Sequence, residues 1–400
     1  MSGAVSWGTA ERVAVFLGAA GQKIPGRAAP PNLQLAQEGL GTDFADATEQ
    51  AEVLVEAETG LSSSNGRASS RVVDRATWAR TNIASFRRLI DPVLERLDSP
   101  LLSSLPVVGD ALGGVARNAS GAQLGVVLGW MSTKVLGQYD VLFVSEPANG
   151  LPTDGRGAQG AGSETPAPAG SPADRNGDAV MFVGPNVLSI EQRFGFPHEQ
   201  FRLWVALHEL THRAQFTGVP WLREHFLSLV DEVLAGVRPD PKQLAESFRR
   251  AADAVRSGEN PMGELGLIGL VAPPEQVEVL KRVQALMSLL EGHGNVTMDR
   301  AGAGLVPEAA WFSRVLRERR QRVSKPARAI QQMLGIDAKM RQYLQGERFV
   351  TAVEEAGGRE LLAKVWEGPE RLPTLAEIGE PALWVSRVRR RRSSRTKRQT

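Results

Sequence analysis

The sequence has no cysteine, five histidines and two tyrosines. These low numbers limit the kinds of catalytic and metal-binding sites that the chain can form. Without cysteine the 400-residue chain has no disulfide, no thiolate nucleophile, no iron–sulfur cluster and no cysteine-ligated zinc finger. Any transition metal must therefore be bound by histidine, aspartate or glutamate. Only five histidines are available for a metal site, namely His198, His208, His212, His225 and His293.

Long apolar runs are also missing. The best membrane candidate, Gly121–Met131, is well short of the roughly 20 apolar residues that a spanning helix needs. Its glycines, Gly121, Gly125 and Gly129, recur every four residues and predict a buried helix with one face suited to close packing. The short run Val13–Ala20 lacks the basic leader of an export signal, so we expect a cytoplasmic protein.

Basic charge is concentrated at the carboxyl end. The formal net charge is +2, yet the last fourteen residues contain eight basic residues and no acidic one. The rest of the chain is therefore net acidic. We interpret residues 387–400 as a disordered basic tail, and we regard nucleic-acid binding through this tail as the disfavoured alternative.

The remaining composition is that of a globular protein, with 42% hydrophobic and 23% charged residues. Apolar residues at three- and four-residue spacing predict helices over Phe44–Glu58 and Ala76–Leu97. Runs rich in β-branched and aromatic residues predict strands at Val141–Ser145 and Ala179–Val183. The predicted fold is mainly α with a small β-sheet, which places it in the α+β class.

Two regions and an insertion follow from these patterns. Residues 1–138 are predicted to form an N-terminal helical region, and residues 139–386 a metal-binding region. Residues 147–178 are dense in Gly, Pro, Ala and Ser and predict a flexible insertion between the two paired strands.

The strongest chemical signal is the pattern His208-Glu209-Leu210-Thr211-His212, which matches HExxH. Residues four apart lie on one helix face, so His208 and His212 can bind the same metal ion. Glu209 projects about 100° around the helix, where it can act as the general base on a water without binding the metal. Pro197 and Gly218 mark plausible helix ends. This geometry is typical of a zinc hydrolase.

A zinc hydrolase also needs a third protein ligand and an open position for water. A second predicted helix starts at Pro274 and leads to Glu291 and His293, which differ by about 200° around a helix. Only one of them can face the metal if the helix continues. We favour Glu291, which continues the apolar stripe of that helix, with Asn295 as a hydrogen-bonding partner of a ligand. His293 remains an alternative ligand, because its flanking glycines could rotate it inward.

An oxyanion donor is the least determined part of the predicted site. The chain has only two tyrosines, and Tyr343 is a candidate donor whose alternative role is buried packing. His293 could donate instead if Glu291 binds the metal. The metzincin extension of HExxH is excluded, because no histidine follows at residue 218.

Several segments together resemble the uncharacterised zincin-like metallopeptidase family of actinobacteria. Within that family they are most similar to the branch named for its association with deazaflavin coenzyme biosynthesis. The segments that carry this resemblance are HELTHRAQF from His208, GVPWLR from Gly218, LGQYD from Leu136, FVGPN from Phe182, EGHGNVTMD from Glu291 and KMRQYLQGERFV from Lys339.

The resemblance implies a mostly helical zincin-like fold, zinc at His208 and His212, and a catalytic Glu209. The chain departs from the broader zincin consensus at Arg213, where an uncharged residue is preferred. That charge could face solvent, or could mean that the site is not tuned for peptides.

The predicted activity is therefore zinc-dependent hydrolysis of a peptide or amide bond, with Glu209 as general base. The alternative is a catalytically silent, metal-stabilised scaffold protein associated with deazaflavin coenzyme biosynthesis. The sequence predicts neither the substrate nor the oligomeric state.

Overall fold

The computed structural model describes residues 5–20, 33–97, 110–141, 178–236, 274–321 and 336–396. Most of these residues are helical, which confirms the predicted fold class. The longer helices are α1 (Trp7–Ala20), α2 (Leu33–Thr59), α3 (Arg75–Leu97), α4 (Asp110–Ser132), α5 (Gly184–Phe194), α6 (His198–Gly218), α7 (Leu222–Ala235), α8 (Pro274–Ala301), α9 (Ala309–Gln321), α10 (Ile336–Leu362) and α12 (Pro381–Thr396). The short helix α11 (Leu375–Gly379) follows two 3₁₀ turns, Ala363–Trp366 and Pro369–Arg371.

A three-stranded mixed sheet completes the fold, with β1 (Ser69–Val73), β2 (Gly137–Tyr139) and β3 (Ala179–Val183). The central strand β3 pairs in parallel with β1, in the register Val73 to Val183, and antiparallel with β2, in the register Gly137 to Phe182. Among the strands that the structure describes, β2 is therefore at one edge of the sheet.

The sheet corrects two predictions. Strand β1 lies within residues 1–138, for which the sequence predicts a helical region. The strand is not predicted because its short, half-polar run carries no clear alternation. The predicted strand Val141–Ser145 is wrong at its start, since the strand ends at Tyr139 and Val141 lies in a turn. The rest of that strand and the predicted insertion, apart from Asp178, fall outside the described residues.

Helix α6 lies at the centre of the fold, because 15 of its 21 residues are buried. It packs against α2, α8 and strand β2. The main core surrounds it with aromatic side chains, including Phe201, Trp204 and Phe312 in mutual contact. A continuous apolar surface thus fixes the direction in which the remaining α6 side chains point.

The glycine-rich helix α4 packs closely on α1, as its spacing predicts. A Cβ at Gly121 would lie 2.3 Å from the carbonyl oxygen of Ser6, and one at Gly125 2.5 Å from that of Ala10. Only glycine permits this separation of the two backbones. None of the helices among the described residues combines the length and hydropathy that crossing a bilayer requires.

The carboxyl-terminal helices form a second core, in which Phe349 of α10 contacts Trp384 of α12. Helix α12 extends to Thr396, into the segment 387–400 for which the sequence predicts disorder. Arg387 donates hydrogen bonds to the Glu377 carboxylate and to two backbone carbonyl groups. The prediction of disorder is therefore wrong for the start of the tail. Arg387 is ordered by Glu377, which lies ten residues earlier in the chain.

Candidate metal centre

Three side chains from two helices converge beside α6. His208 and His212 lie one turn apart on α6, and their Nε2 atoms are 3.2 Å apart. Glu291 reaches them from α8, with its Oε2 at 3.8 Å from His208 Nε2 and 3.9 Å from His212 Nε2. One candidate ligand atom from each residue lies within 4.8 Å of the others.

This donor set fits a zinc ion. Zinc accepts imidazole nitrogen and carboxylate oxygen, and bond lengths of about 2.0–2.2 Å in a tetrahedron separate the ligand atoms by roughly 3.3 Å. The spacing between the two imidazoles is close to that value, and the carboxylate is slightly farther away. All three side chains are partly exposed, at 26% for His208, 16% for His212 and 18% for Glu291, so solvent reaches the centre.

Glu209 lies beside this cluster in a more buried environment. Its Oε2 accepts a hydrogen bond from the Tyr139 amide of β2 at 3.2 Å. Burial raises the pKa of Glu209 to about 7 and Glu291 adds to the shift, while the His212 charge and the Tyr139 amide oppose it. A carboxyl group with this pKa exchanges protons near neutral pH, as a general base must.

Comparison with known proteins places the chain in a family. The family model described as zincin-like metallopeptidase matches residues 5–385. The chain belongs to the zincin-like metallopeptidase family. A solved structure from Chloroflexus aurantiacus, described as "a putative hydrolase with a novel fold", is 26% identical, with a TM-score of 0.61 over 96% of this chain and 99% of that one. No curated protein matches the chain.

Arg213, the departure from the zincin consensus, does not face solvent. It is 1% exposed, and its guanidinium donates to Asp178 Oδ2 at 2.6 Å, to Glu52 Oε1 at 2.7 Å and to the Gly66 carbonyl at 2.7 Å. The other Asp178 oxygen accepts a hydrogen bond from the Tyr139 hydroxyl at 3.1 Å. Arg213 on α6 is therefore linked through Asp178 to Tyr139 on β2, and the Tyr139 amide also donates to Glu209.

His293 lies in a different environment from Glu291. Helix α8 continues through both residues, so they point in different directions, and His293 is 6% exposed with its ring against Trp366. Burial, together with the nearby charges of His212 and Arg300, lowers the pKa of His293 to about 4, so the ring is neutral at neutral pH. The cluster of three candidate ligands includes Glu291 and does not include His293.

Asn295 and Tyr343 are the other two residues that the sequence predicts for the site. Asn295 donates to Glu347 Oε1 of α10 at 2.7 Å, so it links α8 to α10. Tyr343 belongs to α10, but its side chain is outside the described residues. His198 is 62% exposed and its Nδ1 lies 2.9 Å from Glu191 Oε2, outside the cluster of candidate ligands.

The two glycines that flank His293 have packing roles. A Cβ at Gly292 would lie 2.2 Å from the carbonyl carbon of Gly346, where α8 and α10 cross. A Cβ at Gly294 would lie 3.4 Å from the His212 ring. The glycines thus bring α8 close to its neighbours while the helix continues, and they do not rotate His293 inward.

The sequence analysis missed three residues next to the cluster. Gln215 contacts His212 from one turn further along α6, a spacing that could have been noticed. Tyr139 and Gly137 reach Glu209 from β2, across a long separation in sequence. No local sequence pattern predicts a contact between segments so far apart.

Proposed function

We propose that the chain is a zinc-dependent hydrolase that cleaves a peptide or amide bond. His208, His212 and Glu291 would bind the metal, and Glu209 would be the general base. The observation that carries this proposal is the convergence of the three ligand atoms within 4.8 Å, with the Glu209 carboxyl group alongside. Membership of the zincin-like metallopeptidase family and the hydrolase-like neighbour support the same reaction class.

Zinc bound at this centre would supply a Lewis acid that polarises a carbonyl group and acidifies water. Glu209 would accept a proton from the attacking water at Oε1, because the Tyr139 amide donates to Oε2. The same carboxyl group would then give the proton to the leaving amine. Burial of the carboxyl group raises its pKa in the metal-free protein, which makes Glu209 a stronger base than an exposed glutamate.

The edge strand β2 gives an extended substrate a place to bind. The hydrogen bond from the Val183 amide to the Leu136 carbonyl sets the ladder, so Gly137 and Tyr139 direct their backbone groups away from β3. The Tyr139 amide reaches Glu209 in that direction. A peptide that adds a strand at this edge would lie next to the proposed general base. Its main-chain hydrogen bonds would go to the Gly137 backbone and the Tyr139 carbonyl, since the Tyr139 amide already donates to Glu209.

Elemental analysis of purified variants tests the metal ligands. His208→Ala and Glu291→Ala should lose most of the bound zinc, because each removes one of three protein ligands. His293→Ala is the matched control, since it also truncates an α8 side chain near the site, and it should retain zinc. Retention by Glu291→Ala together with loss by His293→Ala would assign the third ligand to His293 instead.

Glu209→Gln tests the chemistry separately from metal binding. The variant should keep its zinc and lose hydrolysis of a fluorogenic peptide library by about 10²–10⁴-fold, the usual contribution of a positioned base. Tyr343→Phe should lower kcat without loss of zinc if Tyr343 donates to the oxyanion. If the unaltered protein hydrolyses no peptide, and Glu209→Gln leaves metal content and every cellular phenotype unchanged, the scaffold alternative replaces the hydrolase proposal.

A further inference from the structure

Gln215 is a fully buried polar side chain between the two helices that carry the proposed ligands. It lies three residues after His212 on α6. Its Oε1 is 3.0 Å from His212 Nδ1, and its Nε2 is 3.0 Å from both the Leu290 carbonyl oxygen and His293 Nδ1. One amide group therefore contacts a proposed ligand, the backbone next to another, and a buried histidine.

The orientation of this amide follows from the chemistry of its partners. A backbone carbonyl oxygen only accepts hydrogen bonds, so the group that faces Leu290 must be the NH₂ of Gln215. The amide oxygen then faces His212 Nδ1 and can only accept from it. A neutral His212 ring, the form that binds a metal, therefore carries its proton on Nδ1 and presents the lone pair of Nε2, which is the nitrogen that faces His208 and Glu291.

The same amide also sets the position of Glu291. Leu290 directly precedes Glu291 on α8, so the hydrogen bond from Gln215 holds the α8 backbone one residue away from the carboxylate. His293 Nδ1 accepts from the same NH₂ group, which occupies both of its hydrogens. Rotation of the amide would break contacts to both helices at once.

We propose that Gln215 is a positioning residue for the metal centre. It fixes the tautomer of His212 and the placement of Glu291 relative to α6. The inference rests on the proposed function, because it presumes that His208, His212 and Glu291 bind a divalent cation. Hydrogen-bond partners of this kind are worth about 10–100-fold in metal affinity.

Competition with a chromogenic chelator measures the zinc affinity of the full-length protein and its variants. Gln215→Met, which keeps most of the volume and loses the amide, should bind zinc about 10–100-fold more weakly. Gln284→Met is the matched control, because it removes a second buried glutamine amide, which lies on α8, and it should bind as tightly as the unaltered protein. Undiminished affinity in Gln215→Met would overturn the role of Gln215.

The tautomer of His212 separates the hydrogen bond from simple packing, because only an acceptor opposite Nδ1 favours a proton on that nitrogen. Nitrogen-15 shifts of the metal-free protein should show the Nδ1–H tautomer of His212, and Gln215→Met should lose that preference. Unaltered protein that binds no zinc would overturn the metal site itself, whereas an unchanged tautomer in Gln215→Met would overturn only the role of Gln215.

Discussion

A Cβ atom on Gly137 would lie 2.6 Å from Cγ and 2.9 Å from Oε1 of Glu209, so the edge strand and the proposed base occupy adjoining space. Gly137→Ala should therefore displace the Glu209 carboxyl group while leaving the three proposed ligands in place. We expect hydrolysis to fall by about 100-fold or more, since a positioned base contributes about 10²–10⁴-fold. Peptide hydrolysis and elemental analysis of the same preparation measure the two effects.

Gly41→Ala on α2 is the control for that substitution. A Cβ at Gly41 would meet no atom within 4 Å, so the change should leave both activity and zinc content intact. Because alanine suits a helix better than glycine does, a small gain in stability is expected there. Equal activity in Gly137→Ala and Gly41→Ala would show that Glu209 does not need its observed position.

The crossing of α8 and α10 leads to a second prediction. A Cβ at Gly346 would lie 1.9 Å from the Ser288 carbonyl oxygen, which is backbone and cannot move aside cheaply. Gly346→Ala should force the two helices apart and lower the free energy of unfolding by about 1–3 kcal/mol, in the range of other overpacking changes. Urea unfolding measures this loss, and zinc affinity should fall with it because Glu291 lies on the displaced helix.

Gly379→Ala serves as the comparison, because a Cβ at Gly379 would meet no atom within 4 Å. That variant should unfold at nearly the same urea concentration as the unaltered protein. A similar loss of stability in both variants would mean that the close crossing at Gly346 is not the cause.

Local patterns in the sequence are sufficient to predict the bounds of the helix that carries His208 and His212. Proline and glycine mark its ends, and the spacing of His208 and His212 places both rings on one side. The orientation of Glu291 also follows from helical periodicity, because α8 continues without a break. These features depend on residues within a few turns of one another, which is the range over which periodicity carries information.

Contacts between distant segments could not be predicted in this way. The charge on Arg213 is explained only when Glu52 and Asp178 are brought beside it. Strand β1 is too short and too polar to be recognised before it pairs with β3. Tyr139 reaches Glu209 across 70 residues of sequence. Each of these contacts is made by the tertiary fold, and no local preference encodes it.

The buried ion pairs of Arg213 provide the third prediction. Arg213→Met should leave the Asp178 and Glu52 carboxylates without their main partner, and breaking a buried pair in this way costs about 3–5 kcal/mol. Arg67→Met is the contrast, because the Arg67–Glu49 pair is 85% and 69% exposed and such pairs contribute about 0–1 kcal/mol. Urea unfolding of both variants tests this ranking, which equal losses would contradict.

The fourth prediction concerns acid stability and the Glu377–Arg387 pair. Partial burial acts to raise the pKa of Glu377, but hydrogen bonds from Arg387 and the Thr374 amide outweigh it, so this pKa lies below its ordinary value. A carboxyl group with a lowered folded-state pKa stabilises the fold above its unfolded pKa of about 4.3, and this contribution is lost as the pH falls through the folded-state value. Glu377→Gln should therefore lower Tm at pH 7.

The difference in Tm between the unaltered protein and Glu377→Gln should shrink as the pH is lowered from 7 towards 3, because the carboxyl group becomes protonated and loses its attraction for Arg387. Glu278→Gln removes an exposed carboxylate that pairs with Lys281, and it should change Tm little at either pH. Thermal unfolding followed by circular dichroism across this range measures all three proteins. A Tm difference for Glu377→Gln that stays constant with pH would show that its effect comes from packing instead of charge.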